Sequence, residues 1–187
     1  GPEALKDVNV RKALAYAIDR NVITDQILQG GQIPAYTFTP GSTANFEVPS
    51  VPFGEMTQAE RDEMAVQLLE EAGYGSDNPL ELSILYNTDE AHRKLATVIA
   101  QMWQQKLGVQ TTLENMEWNT FLDARGNGDF EIARAGWCGD YNEASTFLDL
   151  MDTNSGYNDS AYSNPEVDEL LAEAKTMSDP SENYTQI

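Results

Sequence analysis

The fold is decided by three short segments: LELSILY at residues 80–86, VQTTL at residues 109–113 and FEIARAGW at residues 130–137. All three are typical of strands, with apolar and β-branched residues in short runs. A long helical pattern that ends before Gly108 separates the first two, and a shorter one around residues 118–124 separates the second from the third. This alternation predicts an α/β fold with a mainly parallel sheet and crossover helices.

The chain before these strands is predicted to be helical on either side of a long loop. One helix opens directly with apolar residues at helical spacing, and a second ends at Gly30 and Gly31. Residues 32–56 contain four prolines and indicate an irregular loop. A third helix is expected to end near Ala72, with Gly73 at its C-terminus. The predicted helix-capping residues are Asp7, Asp19, Thr57 with Glu60, and Thr88 or Asp89.

After the strands, the sequence predicts short helices separated by polar loops. One helix is expected near residues 146–151 and another over residues 165–177, where Pro165 suits the first turn. Pro180 is typical of a further helix start, but the chain reaches Ile187 before that helix can bury a face. We therefore expect this sequence to be a truncated piece of a larger protein.

The chain is strongly acidic, which excludes some classes of partner. Its 187 residues contain 31 acidic and 11 basic side chains, a formal net charge of −20. Nucleic-acid binding depends on phosphate neutralisation by Lys and Arg, so this balance argues against it. An anionic membrane surface is disfavoured for the same reason. The simplest interpretation of the charge is solubility, and a preference for cationic ligands is the alternative.

Metal and cofactor sites are not indicated by the residue types present. Cys138 is the only cysteine, which excludes an internal disulfide and a multi-cysteine metal site, and His92 is the only histidine. No apolar run reaches the length of a transmembrane helix, and no signal peptide opens the chain. We expect no cofactor, no metal and no membrane insertion of this chain, and we expect a monomer.

Several chemistry-bearing residues follow the predicted strands. In an open parallel sheet, ligands bind outside the carboxyl ends of the strands. His92 lies in the first turn after the first strand, Trp118 follows the second, and Trp137, Cys138 and Asp140 follow the third. The sequence therefore predicts a ligand site at this edge.

Two charged residues near the third strand each have two interpretations. Arg134 lies in an otherwise apolar strand, so it is either paired in a structural ion pair or forms a carboxylate receptor with its planar donor fork. Asp140 is either a turn residue that bonds its own backbone or an acceptor for a ligand ammonium. For His92, the alternative to ligand binding is an ordinary surface position at the start of a helix.

Five stretches resemble a known family, the family 5 extracellular solute-binding proteins for peptides and nickel. The resemblance covers essentially the whole chain and is most specific to the oligopeptide-binding branch at residues 134–143. This chain has Gly139 where the family usually has Ala, and Ala144 where it usually has Pro. The matching stretches are DVNVRKAL at residues 7–14, AIDR at 17–20, LLEEAGY at 68–74, LYNT at 85–88 and RAGWCGDYNE at 134–143.

The resemblance implies an extracytoplasmic substrate-binding component of an ABC importer, and not an enzyme. It implies that residues 1–187 form one lobe, of the type II periplasmic-binding-protein kind, from a larger two-lobed protein that closes on an oligopeptide and delivers it to a membrane permease. Asp140 would then hold the peptide amino terminus, and Arg134, His92 and Arg125 would receive peptide carboxylates. The other ligand-binding residues implied are Trp118, Trp137, Cys138, Tyr141 and Asn142.

Three other interpretations remain open at this point. Cys138, His92 and Asp140 are the residue types of a cysteine hydrolase, although Cys138 lies at a strand end and not at a helix N-terminus, where thiol pKa values fall. A purely structural domain is the second. The third is a different ligand within the same family, namely a dipeptide, a wall peptide, haem or a nickel complex.

Overall fold

The structure, a computed structural model, describes residues 3–187 as two compact units. The first, here called the sheet unit, contains residues 3–34, 52–125 and 129–135. The second, the helix–loop unit, contains residues 35–51, 126–128 and 136–187. That residues 1–187 form one lobe of a two-lobed protein stays a prediction.

A three-stranded parallel sheet forms the middle of the sheet unit. Its strands are β1 (Glu81–Asn87), β2 (Gln110–Met116) and β3 (Ile132–Ala133), in the order β2-β1-β3. The central strand β1 is almost continuously buried from Leu82 onward, as expected for a strand covered on both faces. The predicted α/β fold with a parallel sheet is confirmed.

The third strand is much shorter than the predicted strand at residues 130–137. Only Ile132 and Ala133 pair with β1, and the backbone N–H of Arg134 adds one bond to the Leu85 carbonyl at 2.8 Å. The Ser83 N–H is taken by the Glu131 side chain at 2.8 Å. Because a carboxylate satisfies this donor, no backbone pairing forms at that position, and the prediction of a long third strand is wrong.

Four of the six α-helices described in the sheet unit begin at predicted caps, and a short helix, Pro52–Glu55, lies within the stretch 32–56 that was predicted to be an irregular loop. Asp7 accepts from the Asn9 N–H, Thr57 and Glu60 form a capping box, and Asp89 accepts from the N–H groups of Ala91 and His92. A 3₁₀ turn (Ala4–Lys6) precedes the first of these helices. The helices are α1 (Val8–Tyr16), α2 (Arg20–Val22), α3 (Pro52–Glu55), α4 (Gln58–Glu71), α5 (Glu90–Leu107) and α6 (Trp118–Gly126).

The second predicted helix differs from expectation at its C-terminus. After the Asp19 cap, α2 continues directly into a π-helix, Ile23–Leu28. The helix ends at Gln29, which adopts the left-handed conformation with φ 54°. The prediction that Gly30 and Gly31 would end it is therefore wrong by one residue.

The sheet unit has a continuous apolar core. Trp103 on α5 is buried, and its Nε1–H donates to the Leu14 carbonyl of α1 at 2.9 Å. Phe121 of α6 is fully buried against Leu85 and Ala124. Residues buried in the larger cluster include Val10, Ala13, Leu14, Ala65, Leu69, Leu82, Ile84, Tyr86, Trp103 and Val109.

The helix–loop unit has no strand in its described residues and is built from short helices. These are α7 (Ser145–Leu148), which runs into a 3₁₀ turn (Asp149–Met151), α8 (Pro165–Ala174) and α9 (Ser181–Gln186). Leu148, Leu171 and Tyr184 belong to its small core. Asn183 and Tyr184 of α9 are buried, so the prediction that this last helix buries no face is wrong.

Candidate ligand-binding site

Two basic side chains of the sheet unit lie at the carboxyl ends of strands, and a third lies close enough to affect one of them. Arg134 directly follows β3, His92 lies in the first turn of α5 after β1, and Arg125 lies in the last turn of α6. We call these three residues the basic edge. Their charges lie close enough to affect one another, because Arg125 acts on Arg134, and both His92 and Arg134 act on Asp89.

Arg134 is the most unusual member of the basic edge. Its side chain is half-buried, and no carboxylate oxygen of residues 3–187 lies within 4.0 Å of its guanidinium. Burial lowers the pKa of Arg134, the charge of Arg125 lowers it further, and Asp89 raises it. The structural ion pair considered from the sequence is therefore absent from the described residues, and Arg134 has the properties of an anion receptor.

His92 is held at the start of α5 by the cap that precedes it. Its backbone N–H donates to the Asp89 carboxylate at 3.1 Å, and this bond is the main cause that lowers the pKa of Asp89. The His92 Nδ1 lies 3.9 Å from Asp89 Oδ1, too far for a hydrogen bond. This buried nitrogen has no hydrogen-bond partner among residues 3–187. His92 is thus positioned by its backbone, and its Nδ1 faces the Asp89 carboxylate.

An aromatic stack on α6 supports Arg125. The Arg125 guanidinium carbon lies 5.3 Å from the centroid of the Phe121 ring, a cation–π distance. Phe121 in turn lies 6.0 Å from the Trp118 ring, centroid to centroid. Trp118 is 47% exposed, which suits a surface that contacts a ligand better than a core position.

One candidate was missed by the sequence reasoning. Asn87 ends β1, and it is buried, yet its Oδ1 has no hydrogen-bond partner among the described residues. Buried polar atoms are normally paired, so this unpaired oxygen makes Asn87 a further candidate at the carboxyl end of β1. The available signal was a polar residue that ends an otherwise apolar strand.

The remaining predicted residues lie in the helix–loop unit, in the loop after β3. Asp140 and Cys138 are exposed, and Cys138 is a free thiol. The Asp140 backbone N–H donates to the Thr146 hydroxyl at 2.9 Å, while its carboxylate makes no hydrogen bond to residues 3–187 shorter than 3.5 Å. The Asp140 carboxylate therefore does not form the turn bond that was the alternative to ligand binding.

Other residues of this loop are held by hydrogen bonds or ring contacts. The Tyr141 hydroxyl lies 2.8 Å from the Ser145 hydroxyl, and the Asn142 side-chain oxygen accepts from the Ala44 N–H at 2.8 Å. The Trp137 ring lies 5.3 Å from Tyr157, and its buried Nε1 has no partner among residues 3–187. The Asn142 side-chain oxygen thus has a structural role in holding the backbone at Ala44. The Nε1–H of Trp137 is a hydrogen-bond donor that no described residue uses.

The structure brings the predicted residues together in two groups. His92, Arg125 and Arg134 form one group, and the loop with Asp140 forms the other. That both groups contact one ligand stays a prediction. In the part of the chain that the structure describes, no cluster of three or more His, Cys, Asp or Glu residues is arranged to hold a metal ion. No helix among residues 3–187 is long and apolar enough to cross a membrane.

This fold is that of solute-binding proteins. The chain belongs to the bacterial extracellular solute-binding proteins, family 5 (middle), whose model matches residues 2–159. The family resemblance inferred from the sequence is confirmed, and a solute-binding family is not the class expected for a cysteine hydrolase.

Individual relatives agree with this assignment. The chain is 47% identical to the periplasmic murein peptide-binding protein MppA of Escherichia coli over 94% of its length. It is 43% identical to the periplasmic oligopeptide-binding protein OppA of Salmonella typhimurium, also over 94%. In both cases it spans 32% of the relative. The crystal structure of Haemophilus influenzae OppA in complex with RPPGFSPFR matches with a TM-score of 0.91 and 43% identity, covering 97% of this chain and 36% of that one.

Proposed function

We propose that this chain is part of the extracytoplasmic substrate-binding component of an ABC importer. In this proposal, the full-length protein binds oligopeptides in a cleft between two lobes and delivers them to a membrane permease. The observation that carries the proposal is Arg134, a half-buried guanidinium at a strand end with no carboxylate of residues 3–187 within 4.0 Å. The periplasmic location and peptide ligands named for MppA and OppA support it.

The chemistry of the two groups suits a receptor for many different peptides. Such a receptor must bind what all peptides share, which is the backbone, an ammonium and a carboxylate. The basic edge offers planar, charge-assisted donors to carboxylates. Asp140 offers an exposed carboxylate to the ammonium. Bridging waters can then accommodate varied side chains of the ligand.

The proposal includes no enzymatic step. Peptide binding by closure of two lobes requires no nucleophile, so Cys138 has no catalytic task. Release of amino acids from short peptides by the full-length protein, abolished by Cys138→Ala, would contradict this part of the proposal.

The main test is the affinity of full-length protein for free and N-acetylated peptides, measured by calorimetry. Asp140→Asn leaves the ligand ammonium without its partner in the closed cleft, a change that typically costs about 3–5 kcal/mol. This corresponds to roughly two to four decades in affinity. The wild type should prefer free amines, and the variant should lose most of that preference. The matched control is Asp123→Asn, which removes an exposed carboxylate from α6.

The basic edge is tested with peptides of different length. The carboxyl terminus moves as a peptide lengthens, so Arg134→Ala and His92→Ala should weaken some lengths more than others. Arg134→Lys keeps the charge but loses the donor fork, and it should rescue affinity only in part. If Asp140→Asn changes neither affinity nor the free-amine preference, the assignment of Asp140 is wrong.

A murein peptide is the second candidate ligand. The identity of 47% to MppA favours it, and a cluster of two arginines and a histidine suits a ligand with more than one carboxylate. Mass spectrometry of what co-purifies with the full-length protein decides between the two ligand classes.

A further inference from the structure

We propose that Thr146 is a positioning residue for Asp140, and that Gly139 is required because the Thr146 methyl group occupies the space of a side chain there. The inference rests on the proposed role of Asp140 as the acceptor for the peptide ammonium. It assigns a task to a residue that is itself buried. All residues involved lie in the helix–loop unit.

The hydroxyl group of Thr146 fixes the backbone of Asp140. Thr146 lies at the start of α7 and is 5% exposed, and its Oγ1 accepts from the Asp140 N–H at 2.9 Å. Its own N–H donates to the Glu143 carbonyl at 3.2 Å, which ties α7 back to the same loop. The acidic residue of the loop is therefore anchored through its own peptide group, while its carboxylate projects from an exposed position.

The methyl group of the same side chain lies against Gly139. A Cβ placed on Gly139 would lie 3.0 Å from Thr146 Cγ2 and 3.2 Å from Phe147 Cζ. The backbone of Gly139 is not left-handed, so the constraint at this position is space and not conformation. Any side chain at position 139 must displace the Thr146 methyl group, the Phe147 ring or the loop itself.

The hydroxyl and methyl groups cannot move independently, because both are bonded to the Thr146 Cβ. A β-branched side chain has few allowed χ1 rotamers, and in a buried site a rotation that removes the methyl also removes the hydroxyl. A side chain at Gly139 must push the Thr146 methyl group by a few tenths of an ångström, which is expected to weaken the bond from Asp140 to Thr146. Gly139, Asp140 and Thr146 form one coupled unit.

Four variants of the full-length protein separate the effect of the Thr146 hydroxyl group from that of its methyl group. Thr146→Val keeps the shape and removes the acceptor, while Thr146→Ser keeps the acceptor and removes the methyl group. Gly139→Ala adds the Cβ, and the double variant Gly139→Ala with Thr146→Ser adds it where the methyl group is absent. The readout is the ratio of affinities for a free-amine peptide and its N-acetylated form, with thermal unfolding measured in parallel.

Loss of one hydrogen bond changes an equilibrium by roughly threefold to tenfold. We therefore expect Thr146→Val and Gly139→Ala each to lower the free-amine preference by about that factor. Thr146→Ser should keep the preference, and the double variant should restore it to within about twofold of the wild type. Rescue by a second substitution that removes atoms distinguishes positioning from a general loss of stability.

The outcomes separate this inference from the proposed function. If Asp140→Asn removes the free-amine preference but Thr146→Val and Gly139→Ala leave it intact, the positioning role is overturned and the proposed function stands. If Asp140→Asn leaves the preference intact, the assignment of Asp140 is wrong and the positioning role of Thr146 is overturned with it. If Gly139→Ala does not fold, the comparison of Thr146→Val with Thr146→Ser decides, because equal preference in these two contradicts the inference.

Discussion

The sheet unit and the helix–loop unit hold their backbones in place by different means. In the sheet unit, β1 and β2 pair over seven positions, and helices cover a continuous apolar cluster. In the helix–loop unit, the core is small, and polar loops are held by a few side-chain hydrogen bonds, such as the one between Asn142 and Ala44 and the two between Thr153 and Asp168.

This difference has a consequence for the candidate site. The basic edge stands on strand ends and helix termini, where a packed core fixes the backbone. Asp140 stands on a loop, where each hydrogen bond from a neighbouring side chain matters. We therefore expect the stability of the sheet unit to fall mainly when buried side-chain volume is removed. The stability of the helix–loop unit should fall both when buried volume is removed and when polar contacts are removed.

The largest expected effect is the loss of Trp103 from the core of the sheet unit. Trp103→Ala removes a buried ring and leaves the Leu14 carbonyl without its donor, so we expect a loss of about 3–5 kcal/mol in the free energy of unfolding. Urea denaturation followed by circular dichroism measures it. The control, Gln104→Ala, lies next to it on the exposed face of α5 and should change stability by less than about 0.5 kcal/mol. A loss below about 1 kcal/mol for Trp103→Ala contradicts the idea of a tightly packed core.

A smaller effect is expected from Leu171 in the helix–loop unit. Leu171 is 1% exposed, and truncation to Ala should cost about 2–3 kcal/mol, near the low end for buried leucines, because a small core can collapse around the gap. Hydrogen exchange should show faster exchange in α8 and α9 than in the wild type, with β1 affected less. The exposed Glu169→Ala on the same helix is the control. Equal acceleration in β1 would show that the two units do not differ in this way.

The next effect concerns one hydrogen bond of the helix–loop unit. Asn142→Ala removes the acceptor of the Ala44 N–H, and we expect a loss of about 1 kcal/mol or less. Because that amide is released, its hydrogen exchange should become faster, which nuclear magnetic resonance can follow directly. Asn142→Asp keeps an acceptor oxygen and should preserve the protection. Unchanged exchange at Ala44 in Asn142→Ala means that this bond does not hold the loop.

The smallest expected effect is a pH dependence at Asp168. The hydroxyl and the N–H of Thr153 donate to this carboxylate and lower the pKa of Asp168 below its ordinary value of about 3.9. A lowered pKa in the folded state gives stability that is present above about pH 4 and is lost as pH falls through the folded-state pKa. Titration of the Asp168 carboxyl carbon in Thr153→Ala should show this pKa rising towards the ordinary value. Thr153→Ser should not show the rise, and identical titration in all three proteins would contradict the assigned cause.

The sequence predicted best those features that depend on neighbours along the chain. The caps at Asp7, Thr57 and Asp89 are confirmed, because a capping side chain bonds to backbone groups two or three residues away. The strand at residues 80–86 is confirmed to within one residue. The motif at residues 134–143 indicated the family that the comparisons confirm. His92 is confirmed at the carboxyl end of β1, whereas the ligand roles of His92, Arg134 and Asp140 stay predictions.

The errors occurred where distant residues compete for the same backbone group. The length of β3 depended on Glu131, whose carboxylate takes the Ser83 N–H from 48 residues along the chain. The burial of α9 depended on Tyr184 entering a core with Leu148 and Leu171. The sequence offered Asn87 only as a polar residue at a strand end, and its unpaired oxygen became visible only in the structure.

By itself the sequence determined the class of fold, the family and the identity of the charged groups around the third strand, because these follow from local propensity, apolar spacing and a specific motif. Only the tertiary structure decided that Arg134 has no carboxylate partner among residues 3–187, that Asn142 is tied to Ala44, and that Thr146 contacts both Gly139 and Asp140. The physical reason is that hydrogen-bond satisfaction and close packing are properties of atoms brought together in space, and residue types along the chain do not specify which pairs will meet.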